Sequence, residues 1–184
     1  MKKKLSIIAI FTLISAFGLT SCSDELKEQL FKAFITNSAE EEFTINIITT
    51  TSTKAEIGLI NQYFNLDSII KAETDNAFSL DNISSINIEE AKLTILNPDT
   101  TNNFANFEEG WLEFNTNINT TPILVASGLN PDVYADSWLI PVDKSVNLKN
   151  YLKGTHLAYY LSAKARRVTT KALDCKIAIK FKVN

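Results

Sequence analysis

Six apolar residues, Leu173, Cys175, Ile177, Ile179, Phe181 and Val183, occupy every second position of the last dozen residues, while Asp174, Lys176, Lys180 and Lys182 take most of the positions between. A helix would scatter that set around its axis, whereas a strand gathers it on one face. The tail is therefore a strand with one buried and one wet side, and such a strand needs a sheet and a second layer to cover it.

The same period recurs upstream. Leu157, Tyr159, Leu161, Ala163 and Ala165 form a second alternating run, and the short Arg166 to Thr170 link predicts that the two runs lie side by side and antiparallel. Ile86, Ile88, Ala91, Leu93 and Ile95 mark another strand, closed by the turn residues Asn97-Pro98-Asp99. Phe43 to Thr51 reads as a strand by alternation and β-branching. Further strands start at Trp111 and at Pro122, the latter closed by Ser127-Gly128. Residues 97–110, rich in Asn, Asp, Thr and Glu around Phe104 and Phe107, read as a long surface loop. The stretch 56–82 follows neither period and leaves room for a short helix, and 146–152 suits a helical turn ended by Gly154.

Near the N-terminus, Leu26, Leu30, Phe31, Phe34 and Ile35 give a helical apolar stripe, broken by Asn37 to Glu42. The expected architecture is mainly β: an antiparallel β-sandwich, immunoglobulin-like in the broad sense, preceded by a short N-terminal helix, with a partly closed β-barrel as the alternative. The chain divides into a signal segment (1–21), an N-terminal helix and linker (22–42) and a single β domain (43–184), with no internal repeat. That length suffices for a core without covalent staples.

The first 21 residues follow another logic. Lys2-Lys3-Lys4 precede the apolar run Ile7 to Ile14 and small residues around Gly18, the order of a secretory signal and too short for a comfortable membrane span. Leu19-Thr20-Ser21-Cys22 resembles the bacterial lipobox, in which the cysteine is lipidated and becomes the first mature residue. The resemblance implies membrane attachment through Cys22, with several acyl chains holding firmly where one would not. Ser23-Asp24-Glu25 resembles the short acidic sorting signals of Bacteroidota surface lipoproteins, which implies outer-membrane display with the cell surface preferred to the periplasmic face. Asp67-Ser68-Ile69 and Asp99-Thr100-Thr101 are similar to the O-glycosylation acceptors of the same phylum, which implies Ser68 and Thr100 as carriers.

Charge and inventory narrow the function. The formal charge of -3 includes the three signal lysines, so the rest of the chain sets 15 basic against 21 acidic residues. Such a domain repels nucleic-acid phosphate. His156 is the only histidine, on the wet parity of its strand, and Cys175, once Cys22 carries lipid, is a lone thiol on the apolar parity. Zinc sites built from several His or Cys, and intramolecular disulfides, are excluded. Glu40-Glu41-Glu42 and Glu108-Glu109 lack the spacing and glycine of a calcium loop, no Gly-x-Ser-x-Gly elbow presents a serine, and no phosphate-binding glycine pattern implies a cofactor.

What remains are aromatics near connections. Trp111 at a strand start, with Leu112 and Phe114 on the opposite parity, and Trp138 and Tyr134 around the 134–141 connection are the candidate ligand-binding residues. The reading is a non-enzymatic, lipid-anchored binding or assembly module at the outer membrane, with a glycan or envelope protein as partner. The rival is a carboxylate-dependent glycoside hydrolase, or an accessory subunit of one, since acids alone suffice for that chemistry. The anchor makes a direct prediction: wild type incorporates palmitate and partitions into detergent, whereas Cys22→Ser stays an unprocessed or soluble precursor. Equal labelling of both proteins contradicts the anchor.

Overall fold

A computed structural model describes residues 39–73 and 75–183. The expected N-terminal helix and Cys22 lie outside the described residues. The elements in chain order are β1 (Ala39–Ile45), β2 (Lys54–Tyr63), α1 (Leu66–Glu73), β3 (Ile86–Ile95), β4 (Phe107–Thr116), β5 (Ile123–Leu129), β6 (Ser137–Ile140), β7 (His156–Ala165) and β8 (Leu173–Val183). They form two four-stranded sheets, β1-β8-β3-β6 and β2-β7-β4-β5, and every pairing is antiparallel. The fold is a β-sandwich, and the two sheets do not join into a closed barrel.

The alternation in the sequence builds the core. Leu173, Cys175, Ile177, Ile179 and Phe181 of β8 meet Ile86, Ile88, Ala91, Leu93 and Ile95 of β3 in one sheet, and all are buried. Leu157, Tyr159 and Leu161 of β7 and Leu112 and Phe114 of β4 supply the opposite wall, with the Phe114 and Tyr159 rings 5.2 Å apart. Burying apolar faces of this size is the main driving force for such a fold. Cys175 behaves as the small hydrophobe its parity implies: it is 1 % exposed, and burial pushes its thiol up to about 12.

Several expectations give way. β7 and β8 are not neighbours but belong to opposite sheets, so the residues 166–172 arch from one layer to the other. Alternation identifies which face is buried, not which strand lies alongside. β1 starts at Ala39 and stops at Ile45, earlier at both ends than the expected 43–51, because its ladder with β8 begins at Ala39 opposite Ile179 and ends where β8 begins, at Leu173. Glu40, Glu41 and Glu42 are thus strand rather than linker, and Lys176 pairs with Glu40 at 3.1 Å. The ambiguous stretch resolves into most of β2, then α1 and a 3-10 turn at Leu80–Asn82. The 146–152 segment makes one helical turn, with the Leu152 N–H donating to the Leu148 carbonyl at 2.9 Å.

The 97–110 segment is not a surface loop throughout: Phe104 and Phe107 are each 1 % exposed, and Phe107 to Gly110 already belong to β4. The 134–141 connection contains β6, which pairs with β3 and carries Trp138 into the core. Trp138 packs edge-on to Phe104 and brings the far edge of its indole against Gly110, where an added Cβ would stand 2.4 Å from a ring carbon. Directly after β6 the chain changes sheets. Pro141 accepts from the Ser127 N–H at 2.9 Å, Asp143 donates to the Val125 carbonyl at 2.9 Å, and Val142 bridges Ala126. Gly128 fits this corner because a Cβ there would lie 2.7 Å from the Pro141 ring.

Trp138 is therefore a structural residue, and Trp138→Ala is expected to cost about 3–5 kcal/mol in denaturant unfolding. Gly110→Ala, which forces a methyl into the same ring, is expected to cost about 1–3 kcal/mol. A Trp138→Ala variant as stable as wild type contradicts this packing.

Candidate functional site

The topology sorts the connections. Ile45 of β1 and Ile95 of β3 lie opposite Leu173 and Cys175 at the start of β8, and Phe107 and Glu109 of β4 lie opposite Ala165 and Leu129, the ends of β7 and β5. The connections 46–53, 97–106, 130–136 and 166–172 consequently gather at one end of the sandwich. The chain enters at Ala39 at the other end, together with the connections 64–85, 117–122 and 141–155.

The four-loop end is held by side chains that substitute for a backbone ladder. The arch 97–106 begins with the Asp99 carboxylate, which accepts from Thr101 N–H at 2.9 Å, Thr101 Oγ1 at 2.8 Å and Asn102 N–H at 2.9 Å, and pairs with Lys171 at 2.8 Å. Asn102, 1 % exposed, joins this arch to the next loop: its Nδ2 donates to Thr170 Oγ1 at 2.9 Å and its Oδ1 accepts from Thr170 N–H at 2.8 Å. Asn103 caps a 3-10 turn at Phe104–Asn106 by accepting from the Ala105 N–H, while Asn106 accepts from the Asn103 N–H. The Asn106 amide then donates to the Thr101 and Val168 carbonyls at 3.0 and 2.9 Å. Asparagine suits these positions because its short amide offers donor and acceptor together at backbone spacing.

Two arginines and Asn130 close the end. Arg166 donates through Nη1 to the carbonyls of Ala105 and Phe107 and through Nη2 to that of Asn130, at 3.0, 3.1 and 2.9 Å. Asn130, 6 % exposed, donates to the Phe104 carbonyl at 2.6 Å. Arg167 donates through Nη2 to both Asp132 carboxylate oxygens at 2.6 Å, and through Nη1 to the Ala105 carbonyl at 3.0 Å. The Arg167 hydrogen bonds hold the Asp132 carboxyl below the ordinary carboxylate range, and Lys171, then Thr101 and Asn102, hold Asp99 well below it.

On this fixed frame stand exposed apolar side chains. Leu129 is 72 % exposed, Val133 66 % and Tyr134 55 %, and Ile47, Leu96 and Val168 are also exposed. The backbone beneath the first three is pinned by Asn130 N–H to Glu108, Phe104 N–H to Ala135 and Ile95 N–H to Asp136.

The residues singled out from sequence do not converge. Tyr134 stands at the four-loop end, as does Thr100, whose position is exposed on the 97–106 arch. Trp111 faces outward on β4, as its parity implies, but it is half-buried, with the Lys54 ammonium 4.9 Å from its ring centroid and Lys54 in turn 3.8 Å from Glu113. Trp138, buried against Gly110, has no face to offer a ligand, which corrects its candidacy. Ser68 is exposed on α1 at the other end of the sandwich, beside Asp67, which accepts from the Leu80 N–H and pairs with Lys71. His156 is exposed, its ring edge-on to Tyr63. Among the described residues no three His, Cys, Asp or Glu side chains gather around a possible metal position. Sequence reasoning missed Asn102, Asn103, Asn106, Asn130, Arg166 and Arg167, and also Leu129 and Val133. The available signal was a run of asparagines without glycine, where side-chain bonds must shape the chain.

Asp99 links this end to pH. Its folded-state pKa is lowered, so its stabilisation is complete above the unfolded value near ~3.9 and is lost as pH falls below that value toward the folded one. Asp99→Asn is expected to lower the melting temperature at neutral pH and to flatten the acid side of its pH profile. Profiles for the two proteins that run parallel from about pH 5 downward contradict the assignment. Comparison with protein-family models and with curated proteins finds no match for this sequence.

Proposed function

We propose that the protein is a non-enzymatic, lipid-anchored binding or assembly module of the outer membrane, displayed on the cell surface, which presents its four-loop end to an envelope partner. One observation carries the reading: the loops bearing Leu129, Val133 and Tyr134 are fixed by buried asparagines and Arg166 at the end of the sandwich opposite the entry of the chain at Ala39. Loops positioned by a rigid scaffold are where sandwiches carry recognition. A frame already ordered before binding also avoids the entropy of ordering it on contact.

The lipobox resemblance supports the orientation. Lipidation at Cys22 leaves residues 23–38 between the anchor and β1, a link of at most about 55 Å when extended. The lipid pulls on the end of the domain that lacks the four loops, leaving those loops toward the medium. Acid chemistry finds little support there, because Asp99 and Asp132 are engaged in ion pairs with Lys171 and Arg167.

The test places a photoreactive phenylalanine analogue in the full-length chain, in its own cells, at Tyr134 or at Ile118, which is 53 % exposed at the opposite end. A saturable adduct from position 134 and none from 118 is the expected result. Adducts from neither site, or equally from both, overturn the reading.

A further inference from the structure

An attachment on the N-terminal side of Ala39 and a partner at the four loops stand at opposite ends of the sandwich, so any pull between them passes through the fold. We infer, resting on the reading above for these two points of load, that β1 is the force-bearing strand of the domain, a clamp that resists a lengthwise pull and gives way to a pull that peels it from its neighbour.

The register sets the direction of load. Among the described residues β1 is an edge strand with one neighbour, β8, and all seven of its residues are in register with it, from Ala39 opposite Ile179 to Ile45 opposite Leu173. The chain joins β1 at Ala39, the end away from the four loops, so a pull on Ale39's side away from those loops runs along the strand axis. Antiparallel ladder bonds lie perpendicular to the strands. A lengthwise pull therefore strains them together, whereas a sideways pull opens them one after another. β8 does not give way first, because β3 holds its other side from Cys175 to Val183.

Side chains reinforce the ladder at both ends. Glu40 pairs with Lys176 at 3.1 Å where the load enters, and Thr44 Oγ1 donates to the Asp174 carboxylate at 3.3 Å near the far end. The Phe43 ring lies against Gly58 of the opposite sheet, where an added Cβ would stand 2.9 Å from two ring carbons, and Ile45 is fully buried. Beyond β1 the chain is tied again: the Ile48 N–H donates to Thr169 Oγ1 at 2.9 Å, the Ile48 carbonyl accepts from the Thr169 N–H at 3.0 Å, and the Ser52 N–H donates to the Ala165 carbonyl at 2.9 Å. Sliding β1 lengthwise breaks its ladder and drags Ile45 out of the core in the same step. The protection depends on direction. β1 begins and β8 ends on the same side of the sandwich, so drawing these two ends apart opens the ladder from Ala39 onward.

The experiment is single-molecule force spectroscopy on the full 184-residue chain, made without lipid so that the Cys22 thiol serves as one handle. Cys175, 1 % exposed, does not compete for attachment. The second handle is Val133→Cys at the four-loop end or Lys182→Cys near the end of β8, both at exposed positions. The rupture force is expected to be at least about threefold higher for the 22–133 pair than for the 22–182 pair, because the first loads the ladder bonds together and the second loads them in turn. Moving the first handle of the 22–133 pair to Thr44→Cys, in a Cys22→Ser chain, takes the register pairs from Ala39 to Phe43 out of the load path and is expected to lower the force by about half or more. Equal forces for the 22–133 and 22–182 pairs, or an unchanged force when the load enters at Thr44, overturn this inference and leave the binding reading standing. Failure of the binding reading shows instead as the missing adduct at position 134 and leaves these forces as they are.

Discussion

The buried carbonyls of Ala105 and Phe107 set the terms for the whole loop end. A strand satisfies such groups with its neighbour, but at the end of a sandwich the neighbours have already turned away. Here the Arg166 guanidinium reaches three carbonyls from two segments, those of Ala105 and Phe107 around the start of β4 and that of Asn130 after β5. Its position is fixed in turn, because the Arg166 N–H donates to the Asn106 carbonyl and Asn106 itself bonds both Thr101 and Val168. Removing any one member leaves buried polar groups unpaired in its neighbours, which is why the network acts as a unit. The apolar residues above it owe their fixed positions to this polar floor.

The sandwich itself was legible where burial alone decides structure. β3 and β8 fall on the predicted residues because every second residue from Leu173 to Phe181 is buried, as are Ile86, Ile88, Ala91, Leu93 and Ile95, with a bulge between Ile88 and Glu90 taking up the one change of parity. Legibility failed where a partner decides. Nothing in the sequence of β7 says that its ladder is with β2 and β4 rather than with β8, since alternation marks the face to be buried and is the same whichever strand lies alongside. β6 was hidden for another reason: a four-residue strand is too short to show a period, and Trp138 reads equally well as a turn aromatic until Gly110 is placed beneath it.

The site divides in the same manner. Trp111 turned outward on its parity, yet parity could not reveal the Lys54 ammonium above its ring, which arrives from a strand more than fifty residues earlier. Tyr134 was found by its type and its place near a turn. Leu129 and Val133 were not, because an exposed aliphatic residue looks like core until the strand that should bury it is seen to end. The asparagines were recognised as loop formers, and their second role, as ties between loops distant in sequence such as Asn102 with Thr170, is a property of three-dimensional arrangement alone.

The sheet change at Pro141 also protects a strand edge. An open strand edge invites a second molecule to add its own strand. By passing from β3 to β5, the chain from Ser137 to Asp143 occupies the free rim of β5 and leaves only the four-residue β6 exposed on that flank. On the opposite flank β1 presents Glu40, Glu41 and Glu42 in succession, so a second copy aligning there meets like charge, and the β2 rim is kinked by a bulge between Glu56 and Gly58. Both flanks are thereby poor templates for strand addition by a second copy.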